Sequence, residues 1–405
     1  MKYVIFDDKK IENFYPLTFT RATADLRVGI LKLRQRLGVH LKFKPEALIT
    51  KKLLKKIYRE RHPEWQINEL KNEETVLVNS RIIINEELKK KIENLELNSS
   101  LVKMDNIIAA RIKSDKRELD SENLPKLFQS LQKIEVENAE FWEYTWELIA
   151  KNKQFIINDF EDIFYDKENK FDSEPGVTLL NPYDIWMGND VELKPGVVLD
   201  ASHGPIVIDD EAKLMPNAVI TGPAYIGKKS NIKIGAKIYE GTTIGPVCKI
   251  GGEVEESIFQ AYSNKQHDGF LGHSYLGEWV NLGADTNNSD LKNNYKTVKV
   301  YSYPLKKKID SQQMFVGTVI GDHTKTGINC TINTGTVIGA ASNLFGKDII
   351  ANHIPAFSWG EMNNLELYKP DKFFETAAIV KQRRNLSFSE NEKELYRTIY
   401  DKERK

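Results

Sequence analysis

The sequence predicts an N-terminal α/β domain, a C-terminal parallel β-helix (a β-solenoid) and a short helical tail. Strand-like and helix-like segments alternate in the first part of the chain. Aliphatic residues recur at every sixth position in the second part. We place the three regions at residues 1–185, 186–355 and 356–405.

The N-terminal region is typical of an α/β domain with a mostly parallel sheet. Its predicted strands are short apolar runs: YVIF (3–6), ALIT (47–50), TVLVNSRIII (75–84) and NIIAARI (106–112). Its predicted helices have apolar residues at helical spacing, over 24–37, 51–61, 124–134 and 139–152. The polar segment 165–178 contains Gly and Pro and predicts a linker.

The β-helix is predicted by a repeat of six residues. Eight aliphatic residues keep this spacing without a break: Ile208, Leu214, Ile220, Ile226, Ile232, Ile238, Ile244 and Ile250. The spacing returns at Phe270, Leu276, Leu282, Ile320, Thr326, Ile332, Ile338, Leu344 and Ile350. No α-helix has this period, whereas a short strand followed by a corner does, and three such units close one triangular coil.

Small residues and a capping motif complete the pattern. Glycines follow many of the repeat positions, where we expect a tight corner or a positive φ: Gly227, Gly245, Gly251, Gly321 and Gly339. In the tail, Ser389 precedes Glu392 by three residues at the start of a helix-like segment, which predicts a capping box.

Composition excludes several classes of function. Lys plus Arg and Asp plus Glu number 58 each, so no basic excess indicates nucleic-acid binding. The two cysteines, Cys248 and Cys330, make neither a disulfide framework nor a metal motif. No apolar segment approaches the roughly 20 residues that span a membrane, and the N-terminus is not a signal peptide. We expect a cytoplasmic protein without a nucleic-acid or membrane partner.

The repeat is interrupted by NKQHDGFLGHSYLGEWVNLG (264–283), which contains His267, Asp268 and His273. Corners and insertions of a repeat fold are where such proteins carry function. A histidine can take a proton from an amine that attacks a thioester, and lysines can hold a phosphate on the acceptor. These residue types favour acyl transfer.

Two other interpretations stay open from the residues alone. The two histidines, with His203, His323 or His353, have the chemistry for a zinc site between subunits. Alternatively, the histidines and asparagines cap corners and satisfy backbone groups.

The segments GHSYLG (272–277), VNLGADT (280–286) and NNSDLKNNYKTVKV (287–300) resemble the acetyltransferase half of the bifunctional GlmU enzymes. Residues 245–295 and YPLTFTRATADLRVGIL (15–31) are similar to the alternative GlmU-like family of Bacteroidetes-type bacteria. The chain departs from the motif in that GHSY is one residue short and Asp285 replaces a glycine. GlmU enzymes make UDP-N-acetylglucosamine from glucosamine-1-phosphate, acetyl-CoA and UTP, on a left-handed β-helix.

The resemblance implies roles for individual residues. His273 matches the catalytic base. The positions expected to hold the sugar phosphate are Lys265, Tyr275, Asn281, Lys292 and Lys296. The positions expected to meet acetyl-CoA are Ala284 and Thr318. The family is trimeric with active sites between neighbouring β-helices, so the resemblance implies a homotrimer.

The nucleotidyltransferase half is predicted from fewer residues. PLT (16–18) is present, but DDKKIENFY stands where such enzymes carry a G-x-G-T-R loop. Arg21, Asp25 and Arg27 are candidate nucleotide-binding residues, or alternatively solvated charges at a helix start. Asp105 is a candidate Mg²⁺ ligand, because Mg²⁺ binds a carboxylate together with phosphates.

The expected function is acetyl-CoA-dependent N-acetylation of an amino-sugar 1-phosphate, with glucosamine-1-phosphate as the first choice. The expected partner reaction is nucleotidylyl transfer from a nucleoside triphosphate, giving UDP-N-acetylglucosamine or a related nucleotide sugar. The alternatives are a chain that is mainly a nucleotidylyltransferase using UTP or dTTP, or a non-catalytic β-helix that assembles or regulates.

Overall fold

In the computed structural model of the chain, residues 2–169 and 175–404 are described. The N-terminal region forms a seven-stranded sheet. In spatial order its strands are Gln132–Glu135, Ser99–Lys103, Asn106–Ser114, Glu73–Asn79, Lys2–Phe6, Ala47–Ile49 and Gln66–Ile67. All neighbours are parallel except the two pairs made by Asn106–Ser114. The predicted α/β domain is therefore confirmed.

Among the described residues five α-helices accompany this sheet; Glu86–Glu93 was not predicted, and the other four differ from the predicted helices in one or both bounds. They are α1 (Leu33–His40), α2 (Lys55–Arg61), α3 (Glu86–Glu93), α4 (Leu124–Phe128) and α5 (Thr145–Ile163). The predicted helix 24–37 begins only at Leu33, because Gly29 has a φ of 64° and turns the chain between the strands Arg27–Val28 and Leu31–Lys32. The predicted helix 124–134 ends at Phe128, and the residues after it supply the edge strand.

The second region is a β-helix with three faces. The first face contains Thr178–Leu180, Val198–Asp200, Val219–Thr221, Lys237–Ile238, Glu253–Glu255 and Phe270–Gly272. The second contains Ile185–Met187, Ile206–Ile208, Ala224–Ile226, Thr242–Ile244, Ile258–Ala261, Tyr275–Glu278, Thr318–Ile320, Thr336–Ile338 and His353–Ile354. The third contains Glu192–Leu193, Lys213–Leu214, Asn231–Ile232, Lys249–Ile250, Asn264–Lys265, Lys325–Thr326, Asn343–Leu344 and Ser358–Glu361.

The smaller strands lie outside these rows. Asn287–Asn288 pairs with Thr331–Ile332, and Lys299–Ser302 forms a hairpin with Lys307–Asp310. The remaining pairs are Glu69–Leu70 with Arg117–Glu118, Ile82–Ile83 with Glu140–Phe141, and Ser358–Glu361 with Asn364–Leu367. Residues 170–174 of the predicted linker 165–178 lie outside the described residues, and the first β-helix strand begins at Thr178.

The aliphatic repeat forms the inner wall of the β-helix. Ile208, Ile226 and Ile244 pair in register on the second face, and the repeat residues from Ile208 to Ile250 are fully buried. The left-handed hexapeptide β-helix predicted from the sequence is confirmed. The next coil is three residues shorter, because Ile244 pairs with Phe259.

The shorter coil changes which residues point inward. Lys265 pairs with Ile250 and takes an inward place that aliphatic residues hold in the earlier coils. On the first face, Leu271 rather than the predicted Phe270 pairs with the buried Val254. The strict spacing of six therefore does not extend through this part of the chain.

The repeat glycines are explained by close approach of coils and not by positive φ. A Cβ on Gly245 would lie 2.1 Å from the carbonyl oxygen of Gln260 in the next coil. Positive φ values fall two residues after these glycines, on residues with side chains such as Lys229, Val247 and His323. Glycine is needed here because backbone occupies the space of a side chain.

The N-terminal domain and the tail pack on the β-helix as one body. The Thr243 hydroxyl donates to the carbonyl oxygen of Gly29 at 2.9 Å, and Asn152 of α5 donates to that of Gly241 at 2.7 Å. The tail contains α6 (Pro370–Gln382) and α7 (Glu390–Glu403), and the predicted capping box at Ser389 is present. No helix among residues 2–169 and 175–404 is long and apolar enough to cross a membrane.

Replacement of Gly245 by Ala should lower the thermal midpoint strongly, because the new methyl group meets the Gln260 carbonyl. Gly235→Ala is the matched control, since nothing lies within 4 Å of a Cβ there and only its φ of 65° is unfavourable, at about 1–2 kcal/mol. Thermal unfolding followed by circular dichroism compares the two variants. Equal losses would contradict the close-approach explanation.

Candidate active site

His273 lies at the corner between the first and second faces, with a φ of 45°. The side chain of Asn288 fixes the preceding residue: it accepts from the amide of Gly272 at 2.8 Å and donates to its carbonyl at 3.0 Å. The carbonyl oxygen of His273 accepts from the amide of Gly317 at 2.8 Å. The backbone of the histidine is therefore held from both neighbouring coils.

Two carboxylates hold the His273 ring. Its Nδ1 lies 2.8 Å from Asp290 and its Nε2 lies 3.3 Å from Glu256, while the Phe315 ring stacks on it at 5.0 Å. The side chain is 13% exposed. Burial lowers the pKa of the imidazole, but hydrogen bonds to Asp290 and Glu256 outweigh it and raise the pKa to about 9. The ring is an imidazolium at neutral pH.

The three titratable groups follow the stacking of the coils. Glu255 pairs with Gly272 between adjacent coils, so Glu256 stands beside His273. Asp290 lies in the next coil. There the side chain of Asn288 bonds to the backbone of Gly272, in the place of backbone pairing between strands. Two carboxylates and one imidazolium leave the corner with a net negative charge, which suits a cationic amine. Asp290 holds Nδ1 at 2.8 Å, and Glu256 holds Nε2 at the longer distance of 3.3 Å, so Nε2 can exchange a proton once a ligand displaces Glu256.

Lys265 is not placed to bind a phosphate from solution. Its ammonium donates to the carbonyl oxygens of Gly251 and His267, each at 3.1 Å, and the side chain is 1% exposed. Burial lowers its pKa to about 8. The lysine occupies the interior of the β-helix.

Lys292 and Lys296 lie on the segment that follows Asp290. Lys292 donates to the carbonyl oxygen of Thr297 at 2.5 Å, and Lys296 is exposed. Neither makes an ion pair within the described part of the chain.

Tyr275 and Thr318 are buried and fully engaged. The Tyr275 hydroxyl donates to Gln260 at 2.9 Å and accepts from the backbone amide of Arg27 at 2.8 Å, in the interface with the N-terminal domain. The Thr318 hydroxyl donates to the carbonyl oxygen of Thr336 at 3.0 Å. In a single chain neither hydroxyl faces a ligand.

Ala284 and Asn281 lie on another side of the β-helix. Ala284 lines a surface depression with His267, Asp268 and Asp285. Asn281 lines a cavity of about 260 Å³ on the third face, which we call the third-face cavity. Within one chain, the structure therefore does not gather the predicted acetyltransferase residues around His273.

Arg21, Asp25 and Arg27 are neither exposed to a nucleotide nor solvated, which corrects both interpretations of them. All three are buried in the interface with the β-helix. Arg21 donates to Asp322 at 2.6 Å and lies 3.5 Å from Glu278.

The other two residues serve the same interface. Burial raises the pKa of Asp25, but Lys32 at 3.0 Å and Arg34 at 2.8 Å hold it well below its usual range. The Arg27 guanidinium donates to the carbonyl oxygen of Ile30.

A second cavity lies where the strands Lys2–Phe6 and Glu73–Asn79 end, which we call the N-terminal cavity. Its volume is about 370 Å³, and its polar lining is Asp7, Asp8, Lys9, Lys10, Asn79, Asp105, Asn106, Ser121, Gln129 and Lys133. Ligands of α/β folds bind outside the carboxyl ends of parallel strands. The predicted Mg²⁺ candidate Asp105 therefore lies in the part of the fold where a nucleotide is expected.

The other acidic side chains of this cavity are already engaged. Burial raises the pKa of Asp7 to about 6, and its carboxylate accepts from Thr50 at 2.6 Å and Ser80 at 2.7 Å. Asp8 accepts from Arg81 at 2.5 Å. Asp105 has no such partner among the described residues, so its carboxylate is available to a metal ion that also binds phosphate oxygens.

The zinc interpretation, a site shared between subunits, stays a prediction. Within residues 2–169 and 175–404 no three His, Cys, Asp or Glu side chains are placed to hold a metal ion. His323 is buried beside Trp279 and Phe373, and His353 stacks on Tyr301 at 3.8 Å.

Sequence reasoning did not assign Glu256, Phe315 or Asp290 to the site. The signal was the coil length: Glu256, His273 and Asp290 are each 17 residues apart, which is one coil in this part of the β-helix. Phe315 comes from the far end of an insertion, and no spacing indicated it.

Comparison with known proteins finds similarity to a sugar nucleotidyl transferase family and to bifunctional transferases. Residues 3–168 match the family described as sugar nucleotidyl transferase. The chain is 30% identical over 200 residues to the bifunctional protein GlmU of Synechococcus elongatus, covering 43% of this chain and 40% of that relative. It is 36% identical over 149 residues to the bifunctional sugar-1-phosphate nucleotidylyltransferase/acetyltransferase of Sulfurisphaera tokodaii, covering 36% and 37%.

These matches cover only parts of the proteins compared. The chain spans less than half the length of the two relatives. Among solved structures, the UDP-N-acetylglucosamine acyltransferase from Campylobacter jejuni aligns over 55% of this chain and 93% of its own, at 16% identity. Its TM-score of 0.23 is too low to bear on function. Residues 3–168 thus match the sugar nucleotidyl transferase family, and parts of the chain are similar to bifunctional GlmU proteins, as its motifs predict.

Proposed function

We propose that the chain transfers the acetyl group of acetyl-CoA to the amine of an amino-sugar 1-phosphate, with glucosamine-1-phosphate as the first choice. The observation that carries this proposal is the His273 ring between Glu256 and Asp290. A histidine in this setting has a defined proton-exchanging nitrogen and a negative surrounding for a cationic substrate. Sequence relatives with both activities support the same choice.

The proposed reaction begins with an ammonium that enters beside Glu256. This positive charge neutralises the charge of Glu256, which had helped to keep His273 protonated. The pKa of the imidazole therefore falls, and Nε2 becomes a base. The imidazolium and the ammonium each release one proton to solvent, which leaves a neutral imidazole and a neutral amine. His273 then takes a proton from the amine as the amine nitrogen bonds to the acetyl carbon, the carbon–sulfur bond breaks, and the imidazolium returns this proton to the thiolate of coenzyme A. Asp290 keeps the ring oriented and stabilises the imidazolium that forms.

The phosphate-holding groups of this proposal come from a neighbouring copy of the chain. Lys292 is partly exposed and Lys296 is exposed on the segment that follows Asp290, and neither forms an ion pair among the described residues. We therefore include a homotrimer in the proposal, with the predicted contacts of Asn281 and Ala284 made across subunits. Lys265, Tyr275 and Thr318 are buried and stabilise the β-helix coils that carry the site.

Replacement of His273 by Gln should lower acetyl transfer at least a hundredfold, the usual contribution of a general base. Thiol release from acetyl-CoA with glucosamine-1-phosphate measures the rate. His267→Gln is the matched control, because that histidine is exposed six residues away in the same stretch. A wild-type rate in His273→Gln, with unchanged circular dichroism, would exclude the assignment.

The His273 proton should be visible in a pH titration. We expect a pKa of about 9 by NMR in the free protein, and a lower value in Glu256→Gln because one of the two carboxylates is lost. The folded pKa exceeds the unfolded value of ~6.5, so the group stabilises the fold below about pH 6.5 and loses this contribution as the pH rises through 9. A pKa near 6.5 in both proteins would contradict the charge arrangement.

The N-terminal cavity favours a second activity, nucleotidylyl transfer to a sugar 1-phosphate. Its position at the carboxyl ends of parallel strands and the family match over 3–168 support it. Asp105 would hold Mg²⁺ together with the triphosphate, and Lys9 and Lys133 supply positive charge. When bound, Mg²⁺ neutralises charge on the phosphates.

Asp105→Asn should abolish Mg²⁺-dependent release of pyrophosphate from UTP in the presence of N-acetylglucosamine-1-phosphate, because the carboxylate for the metal is lost. It should leave thiol release from acetyl-CoA unchanged, and His273→Gln should show the opposite pattern. A phosphate assay after pyrophosphatase treatment measures the product. Full pyrophosphate release by Asp105→Asn would exclude its role, and absence of both activities in the wild type would favour a scaffold.

A further inference from the structure

The third-face cavity is lined by an unusual set of charges. Its four cationic residues are Lys249, Lys325, Arg383 and Arg384. No acidic residue lines it, and its other polar members are the amides of Asn264, Gln266 and Asn281 and the hydroxyl of Tyr262. The first two cations lie on the third face of the β-helix, separated by the coils that contain Asn264 and Asn281, and the two arginines directly follow α6.

These four cations lack counter-charges. Among residues 2–169 and 175–404 none of them makes an ion pair. Lys325 donates only to the carbonyl oxygen of His323 at 3.0 Å, and Arg384 only to Asn264 at 3.3 Å. Burial lowers the pKa of Lys249, and Arg384, Lys233 and Arg383 lower it further.

Several buried cations of this chain pair with a carboxylate, whereas buried Lys265 and Arg27 donate to backbone carbonyl oxygens. Arg21 is 2.6 Å from Asp322, Arg81 is 2.5 Å from Asp8, and Lys381 in α6 is 2.6 Å from Glu392. Converging unpaired cations destabilise a fold, because they repel one another and lose hydration. A site of this kind is consistent with a ligand that supplies the missing negative charge.

We propose that the third-face cavity binds a small ligand that carries a diphosphate group, either as free pyrophosphate or as part of a nucleoside diphosphate. Guanidinium groups form paired hydrogen bonds with phosphate oxygens, and lysines add point charges. The amides of Asn264 and Asn281 supply further donors. At about 260 Å³ the cavity holds a small ligand.

Within one chain the cavity lies apart from His273 and from the N-terminal cavity, and it shares only Asn281 with the proposed acetyltransferase contacts. His273 lies at the corner between the first and second faces, and the N-terminal cavity lies in the other domain. A diphosphate in the third-face cavity would bridge Lys249 and Lys325 of the β-helix to Arg383 and Arg384 of the tail. Ligand binding would therefore secure α6 against the β-helix.

The test is calorimetric titration of the full chain with inorganic pyrophosphate, UDP and orthophosphate, in EDTA so that Mg²⁺-dependent binding elsewhere is silent. We expect pyrophosphate or UDP to bind, and orthophosphate to bind more weakly. Equal affinities for pyrophosphate and UDP would identify the free diphosphate as sufficient, and a tighter UDP would identify the nucleoside form. No binding of either at millimolar concentration would overturn the proposal.

Substitutions of the cavity residues show whether the ligand binds in this cavity or elsewhere. Lys325→Met and Arg384→Ala should each weaken the binding roughly tenfold or more, the effect of one charged hydrogen bond. Lys213→Met is the matched control, because Lys213 is exposed on the same face and pairs with Glu192 at 2.5 Å. Binding that survives both variants unchanged would overturn the proposal.

Thermal stability distinguishes a ligand-binding role of Lys325 from a purely structural role. Lys325→Met should raise the thermal midpoint of the free protein, because it removes a half-buried charge that has no carboxylate partner, and should reduce the rise that pyrophosphate causes. Pyrophosphate should also slow tryptic cleavage after Arg383 and Arg384 in the wild type. A lower midpoint of Lys325→Met, with an undiminished pyrophosphate effect, would contradict the proposal.

Discussion

The distance between stacked coils is the constraint on which this molecule depends. Backbone of one coil lies against backbone of the next at Gly245, where a Cβ would stand 2.1 Å from a carbonyl oxygen. This contact fixes the register of the coils, and the register decides which residues become neighbours. Glu256, His273 and Asp290 meet because each lies one coil from the next, although nothing in a single coil brings a carboxylate to a histidine. The chemistry at the corner is thus a property of stacking, and a change of coil length would separate the three groups.

The packing of the N-terminal domain on the second face explains why several polar residues do not bind ligands. Arg21 and Asp322 belong to different domains, and each is almost wholly buried. Removal of one partner from such a pair usually costs about 3–5 kcal/mol, since the other charge stays buried alone. The Tyr275 hydroxyl serves the same interface through the backbone of Arg27. A motif residue can therefore be retained in the sequence for docking rather than for substrate.

The sequence was sufficient for the architecture because the inward residues repeat locally. Eight aliphatic residues at fixed spacing specify strand, corner and core without reference to the rest of the chain. The sequence pattern was wrong at Lys265, where a shorter coil places an ammonium at an inward position that is otherwise aliphatic. It was also wrong at Phe270, because Leu271 takes the inward position instead. His273 was identifiable from its motif, but Glu256 was not, since its role depends on a register that the irregular coils obscure. Arg21, Asp25 and Arg27 were misjudged because charge patterns do not reveal that a second domain will cover them.

The two sides of the β-helix carry opposite local charge although the chain as a whole is neutral. At the His273 corner two carboxylates exceed one imidazolium, and on the third face four cations stand without a carboxylate. Pairing these groups within the fold would have been more favourable for stability, as the buried Lys381–Glu392 pair shows. Unpaired charge of one sign costs folding free energy, and a protein can retain it where a ligand of the other sign binds. The separation of charge thus indicates two kinds of ligand, a cationic amine at the corner and an anion on the third face. Because the same stacking of coils sets all three faces, a single β-helix carries both sites.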